Sequence, residues 1–132
     1  MARTLSLDTS FLVDLERERR AGSGAAHRFL QADPGAELCL SAAALGELAE
    51  GYGDADHPVL TALRLGHRIL DVDEETALAY GRITRVLRAK GALIGANDLW
   101  IAATSLRYGL PLVTADVEHF RRIDGLEVVS YR

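Results

Sequence analysis

Four acidic side chains stand where a strand-then-helix chain brings them together. Asp8 closes the apolar run Thr4-Leu5-Ser6-Leu7, and Asp116 ends the run Leu112-Val113-Thr114-Ala115. Asp98 opens the apolar stretch Leu99-Trp100-Ile101-Ala102-Ala103, and Glu47 lies in the helical stretch Ser41-Ala42-Ala43-Ala44-Leu45-Gly46-Glu47-Leu48. Crowded carboxylates are costly unless a cation neutralises them. Hard oxygen ligands suit Mg²⁺ or Mn²⁺. A cation held this way can polarise a phosphate and lower the pKa of water, the chemistry of phosphodiester hydrolysis. The sequence leaves one ion or two open.

Each acid taken singly has a plainer reading. Asp8 and Asp116 suit helix N-caps, Asp98 suits a first helical turn, and Glu47 suits a solvated helix face. Joint placement on one edge is what argues for a metal site. Ser10 and Thr114 are short donors beside Asp8 and Asp116; they either hold a carboxylate, water or phosphate, or cap the helices that follow. Asn97 reads as a cap for its own helix or a support for the site. Asp14, Glu16, Glu18 and Glu50 read as solvated faces, with Asp14 and Glu118 the two nearest to an outer supporting role. His27, His57, His67 and His119 lack zinc-ligand spacing, although His119, three residues after Asp116, is placed to reach a substrate.

The elements that must position these groups alternate. Short apolar runs predict strands over 4–8, 37–41, 68–72, 111–115 and 127–131, with helices over 9–20, 23–32, 41–52, 58–66, 73–90, 95–109 and 117–122. Asp33-Pro34-Gly35, 54–58 and Asp124-Gly125 break the chain between them. The helix at 73–90 carries agreeing end signals: Asp73 as N-cap, Glu74 and Glu75 in the first turn, Arg85, Arg88 and Lys90 late, then Gly91. Leu78, Ile83, Val86 and Leu87 are its expected apolar face. Alternating strands and helices imply a parallel sheet covered on both faces. Asp8, Asp98 and Asp116 then share the carboxyl edge. Glu47, about one and a half turns into its helix, reaches back because helical side chains tilt toward the N-terminus. If the first and fourth strands are neighbours, their junction is a topological switch point where ligand crevices form.

The 132 residues are expected to form one domain spanning 1–132, and 48% hydrophobic content excludes a disordered chain. No apolar run approaches the roughly 18 residues that span a bilayer, and acids come too early for a signal peptide, so a cytoplasmic protein is expected. A net charge of −4 argues against a simple basic nucleic-acid-binding module but not against an enzyme whose acids hold cations. Arg17, Arg19, Arg20 and Arg28, and separately Arg82, Arg85, Arg88 and Lys90, are basic clusters that could flank the acids and guide a nucleic-acid strand. Trp100 and Tyr108 read as packing residues.

Leu7-Asp8-Thr9-Ser10-Phe11-Leu12 resembles the opening aspartate motif of PIN-domain ribonucleases, and Leu45-Gly46-Glu47-Leu48 resembles their glutamate motif. Asn97-Asp98 with Trp100-Ile101-Ala102-Ala103-Thr104 is similar to the third acidic motif, and Val113-Thr114-Ala115-Asp116 with Phe120 to the fourth. The resemblance covers nearly the whole chain, in order. It looks most like the toxin of a bacterial VapBC-type toxin–antitoxin pair. The resemblance implies a three-layer α/β/α sandwich around a parallel sheet of about five strands. It also implies metal-dependent endonucleolytic cleavage of RNA, with Asp8, Glu47, Asp98 and Asp116 at the acidic metal site and Ser10 and Thr114 as supporting hydroxyls. Mg²⁺ is the implied cofactor, with Mn²⁺ as a substitute. The implied partners are RNA, a cognate VapB-type antitoxin that blocks the site with a basic side chain, and a second copy of the chain. Apolar side chains at Phe11, Leu12, Leu15 and Phe29 are candidates for either protein contact.

Other functions compete. A receiver-like signalling domain also gathers acids at the carboxyl edge of a parallel sheet, but it needs a lysine near the fifth strand, and none follows Lys90. An aspartyl phosphotransferase needs Asp-x-Asp after its first strand, where this chain has Asp8-Thr9-Ser10. A catalytically silent interaction domain would retain the fold without needing the acids.

Overall fold

In the computed structural model, which describes residues 2–132, Leu5 and Leu7 face one layer of helices while Ser6 faces the other. All three are fully buried, as expected of a strand covered on both sides. The elements run β1 (Thr4–Leu7), α1 (Thr9–Ala21), α2 (Ala25–Ala32), β2 (Glu37–Ser41), α3 (Ala42–Tyr52) and α4 (Pro58–Gly66). There follow β3 (Arg68–Leu70), α5 (Glu74–Ala89), α6 (Ala96–Tyr108), β4 (Leu112–Thr114), α7 (Val117–Phe120) and β5 (Val128–Ser130). The five strands form one parallel sheet in the order β3-β2-β1-β4-β5. The chain winds outward from β1 through β2 to β3, then crosses back to β4 and β5. The junction of β1 and β4, with Ser6 opposite Leu112 and Leu7 opposite Val113, is therefore the switch point.

Two apolar cores lie on the two faces. One joins β1, β2 and Val113 to α1, α2, α3 and α4 through Phe11, Leu12, Ala26, Leu48 and Leu60. The other joins Leu112 and Phe120 to α5 and α6 through Ile83, Leu87, Ile101 and Ala102. The result is the three-layer α/β/α arrangement expected. Phe11 and Leu12 are core residues, so of the four apolar side chains named as contact candidates only Leu15 and Phe29 retain some exposure.

Local chemistry sets the helix starts. Ser41 Oγ accepts from the Ala44 amide at 3.0 Å to begin α3. Asp73 and Thr76 form a reciprocal capping box at α5. Gly24, which has no side chain to cap α2, is served by Glu18 of α1, whose two oxygens accept from the Ala26 and His27 amides at 3.0 Å each. A Cβ at Gly24 would collide with that carboxylate.

Several sequence expectations are corrected. The strands are shorter than predicted: Asp8, Asp71, Val72, Pro111, Ala115, Glu127 and Tyr131 fall outside them, and Asp8 becomes the N-cap position of α1. On α5, Leu78 is 66% and Val86 40% exposed. The buried stripe is Thr76, Ala79, Ile83 and Leu87, a spacing of three to four that leaves Leu78 and Val86 on the flank. At α6, Gly95 takes the N-cap position, so Asn97 sits inside the first turn, exposed and capping nothing.

Candidate metal centre

The carboxyl ends of β1 and β4 open into a pocket of about 410 Å³, lined by Asp8, Ser10, Glu47, Asp98 and Asp116 among others. All four predicted acids thus meet in one cavity. Each arrives differently: Asp8 and Asp116 from the strand–helix turns, Asp98 from the first turn of α6, and Glu47 from the second turn of α3.

Asp8 is the best held. It is 4% exposed and occupies the N-cap position of α1, yet its side chain makes no cap hydrogen bond. Its Oδ2 instead accepts from Ser10 Oγ at 2.8 Å and from Thr114 Oγ1 at 2.7 Å. The two hydroxyls are themselves fixed by accepting backbone N–H groups. Ala115 donates to Ser10 at 3.1 Å, and Asp116 to Thr114 at 2.9 Å. Both protons are committed to Asp8, so the 3.4 Å approach of the two hydroxyls is packing rather than a hydrogen bond. Neither hydroxyl caps the helix that follows its strand: each holds the carboxylate and also accepts from the β4–α7 turn. Among the described residues, both side-chain hydroxyls bond Oδ2, and the backbone of Thr9 adds a weaker hydrogen bond to the carboxylate.

The electrostatics record the crowding. Burial, only partly opposed by the Thr114 and Ser10 hydrogen bonds, raises the Asp8 carboxyl above its ordinary value, and the charge of Glu47 adds to the rise. Asp98 is pushed up to about 6, first by burial and then by the charges of Asp8, Glu47 and Asp116. A nearby divalent cation would reverse both shifts. The donor set of hard oxygens around a shared opening fits Mg²⁺ or Mn²⁺.

Ligand atoms of Asp98, Asp116 and His119 lie within 4.8 Å of one another. His119 Nδ1 stands 2.7 Å from Asp116 Oδ2, but the angle is too poor for a hydrogen bond and the nitrogen counts as unpaired. We read the contact as two groups facing a common space, not as a finished pair. Sequence spacing placed His119 near a substrate; the fold places it beside the acids, one helical turn after Asp116.

Asn97 does not line the pocket, and Glu118 points to solvent. Asp14 does line it, tied to Tyr131 and Arg132. Arg17 and Arg132 are further lining residues. Arg132 lies 124 positions from Asp8 and had no local signal; only the return of β5 beside β4 brings it here. None of Arg82, Arg85, Arg88 and Lys90 lines this pocket, and Arg82 lines clefts elsewhere. Trp100 stacks on Tyr80 at 3.9 Å and Tyr108 donates to the Asp71 carbonyl, so both are packing residues. Among the described residues, no helix is long and apolar enough to cross a membrane.

Known proteins with this pattern are recognisable. The family described as PIN domain matches residues 5–126. The chain is 31% identical over 126 residues to Ribonuclease VapC1 of Haemophilus influenzae strain R2866, covering 92% of each. The solved structure of VapBC-1 from nontypeable Haemophilus influenzae superposes with a TM-score of 0.80 at 29% identity, over 97% of this chain and 98% of that one. VapBC2 from Rickettsia felis, bound to a DNA fragment from its promoter, superposes with a TM-score of 0.85 at 23% identity, over 98% and 99%, a likeness of fold. The chain belongs to the PIN-domain family.

Proposed function

We propose that this chain is an endoribonuclease, the toxin of a VapBC-type toxin–antitoxin pair, and that a divalent cation held by its acids is required for cutting. The observation that carries this reading is the convergence of Asp8, Glu47, Asp98 and Asp116 in one pocket, where burial first and then the neighbouring acids raise Asp98 to about 6. Four carboxylates kept together against that cost suit a site that works with its cation bound. The ribonuclease name of its relative in Haemophilus influenzae supports the reaction class.

When bound, Mg²⁺ or Mn²⁺ supplies charge to the phosphoryl oxygens and acidity to a water. The chain's own residues do the rest. Asp8, its Oδ2 fixed by Ser10 and Thr114, lines the pocket and is the anchoring ligand. Asp98 and Asp116 face it from α6 and the β4–α7 turn. Glu47 comes from α3, and its carboxylate can orient the attacking water and take its proton.

A groove of about 560 Å³ between α1, α3 and α4 shares Thr9, Val13, Arg17 and Glu47 with the acidic pocket. Its walls include Leu12, Leu15, Leu48, Tyr52, Val59 and Leu63. We assign the antitoxin to this groove, because a segment lying there meets Glu47 at its end and a basic side chain on it would compete with the cation. The solved relatives of the VapBC type support that partner. Pairing with a second copy of the chain belongs to the same proposal.

The test is cleavage of total cellular RNA by the purified chain, with Mg²⁺ or Mn²⁺ and with chelator. Cutting that needs the ion and vanishes in Asp8→Asn, while the variant keeps its circular dichroism, is expected. Equal cutting by Asp8→Asn, or cutting in chelator, would overturn it.

A further inference from the structure

We propose that Arg17 and Arg132, both beside Asp14 at the rim of the acidic pocket, are the phosphate-binding residues that receive the RNA next to the cut. The proposal deepens the ribonuclease reading and rests on it. A pocket built from four carboxylates repels a polyanion, and bound cations answer that only at the reacting phosphate. Neighbouring phosphates need cations of the protein. Among the described residues lining the pocket, Arg17 and Arg132 are the two basic side chains.

Their arrangement exceeds what a structural tether needs. Asp14 Oδ2 accepts from the Tyr131 hydroxyl at 2.5 Å and from Arg132 Nη2. That pair alone neutralises the carboxylate. Arg17 then adds a second cation 3.6 Å from Asp14 Oδ1, too far for a hydrogen bond. One anion facing two guanidinium groups leaves a net positive charge of one at the rim. Donors are also left over: the side chain of Arg17 is 75% exposed and that of Arg132 59%, whereas that of Asp14 is 13%. A guanidinium carries five N–H donors in a fork that matches phosphate oxygens. Among the described residues, Arg17 spends none of them on a hydrogen bond, and Arg132 turns its own to Asp14 and the adjoining Tyr131 hydroxyl.

Arg132 is positioned as well as free. Its guanidinium carbon lies 5.7 Å from the Tyr131 ring centre. That ring is buried edge-on against Phe11 at 4.9 Å, and its hydroxyl lies 3.1 Å from the Ser10 carbonyl. The phosphate-binding arm is thus fastened to the same turn that holds Asp8. Arg17 lines both the acidic pocket and the apolar groove, so a strand leaving the site past Arg17 enters the surface assigned to the antitoxin. Substrate and antitoxin therefore exclude one another at Arg17.

The experiment measures binding of a labelled single-stranded oligouridine in Mg²⁺ by fluorescence anisotropy across a salt series. It uses the full chain carrying Asp98→Asn to stop cutting. Single-stranded binding falls with salt at a slope of about −0.7 per neutralised phosphate. Arg17→Gln and Arg132→Gln are each expected to flatten the slope by about 0.7 and to weaken low-salt binding about fivefold, the scale of an exposed ion pair. Arg17→Lys and Arg132→Lys, which keep the charge, are expected to restore the slope, a rescue that a purely structural role would not produce. Arg64→Gln, exposed on α4 and lining neither the pocket nor the groove, serves as the control. Slopes equal to the parent's in both Gln variants, or Lys variants as flat as the Gln ones, would overturn the arginine assignment alone. A parent chain that binds no RNA at any salt would instead bring down the ribonuclease reading.

Discussion

Thr114 Oγ1 donates to Asp8 Oδ2 at 2.7 Å, joining the carboxyl ends of β4 and β1 across 106 positions of sequence. The bond belongs to the site as much as to the fold. It holds one oxygen of a carboxylate that lines the pocket. Groups that orient a metal ligand in this way typically matter about 10–100-fold in metal affinity. Thr114→Val keeps the shape of the side chain but leaves Asp8 with one side-chain donor, Ser10, and takes from the Asp116 amide its Thr114 acceptor. Mn²⁺ affinity measured by calorimetry is expected to drop about tenfold or more, with about 1–3 kcal/mol lost from stability. Thr114→Ser should recover most of both. Unchanged Mn²⁺ affinity in Thr114→Val would show that Asp8 needs no such support.

Asp98 sets activity against stability. Its carboxyl is raised to about 6, by burial and by three neighbouring acids, so ionising it costs the metal-free fold. Asp98→Asn removes the charge while keeping the size. In chelator the variant should melt higher than the parent; ~1 kcal/mol, after discounting for partial exposure, corresponds to about 4 °C at this chain length. RNA cleavage should be lost at the same time. A variant that melts lower in chelator would mean that the acids are not strained by one another.

The same group gives a pH dependence whose sign can be worked out. The ordinary value is 3.8 and the folded value about 6, so the folded state binds this proton more tightly than the unfolded chain. The penalty on stability is absent below about pH 4, grows as pH rises, and is complete above about pH 6. A bound cation removes it. Addition of Mn²⁺ should therefore raise the melting temperature more at about pH 7.5 than at about pH 5, and binding near pH 5–6 should release protons. Calorimetry in buffers of different ionisation enthalpy reads that release directly. Equal thermal shifts at both pH values would contradict the assignment of Asp98 as a ligand.

Much of this site was legible in sequence because its parts sit at element ends, which leave clear marks. Asp8 follows an apolar run, Asp116 follows another, and Asp98 precedes a helix of small apolar residues, so the parallel-sheet reading alone carried them to one edge. Other features were hidden for physical reasons. Asn97 looked like a cap because caps favour Asn, but Gly95 two residues earlier adopts the extended cap conformation and starts the helix first. Leu78 and Val86 looked like core because they are apolar, yet the sheet selects the stripe through Ala79, Ile83 and Leu87. Arg132 and Tyr131 carry no local signal; their place depends on β5 lying beside β4, a contact between distant segments.

Tyr131 offers the last check, on the fastening of the pocket rim. Burial pushes the Asp14 carboxyl up, but the Tyr131 hydroxyl, Arg132 and Arg17 together outweigh it and hold Asp14 below its ordinary value. The same short bond, with burial first, lifts the Tyr131 phenol well above its usual range. Tyr131→Phe keeps the edge-on packing against Phe11 and removes only the hydroxyl. The expected cost is about 1–2 kcal/mol near neutral pH, read from urea unfolding. Because Asp14 is depressed in the folded state, its contribution is present above pH ~4 and is lost as pH falls through the folded value. The gap between Tyr131→Phe and the parent should therefore narrow in acid. A gap that is constant from neutral pH into acid would assign the loss to packing and not to the Asp14 hydrogen bond.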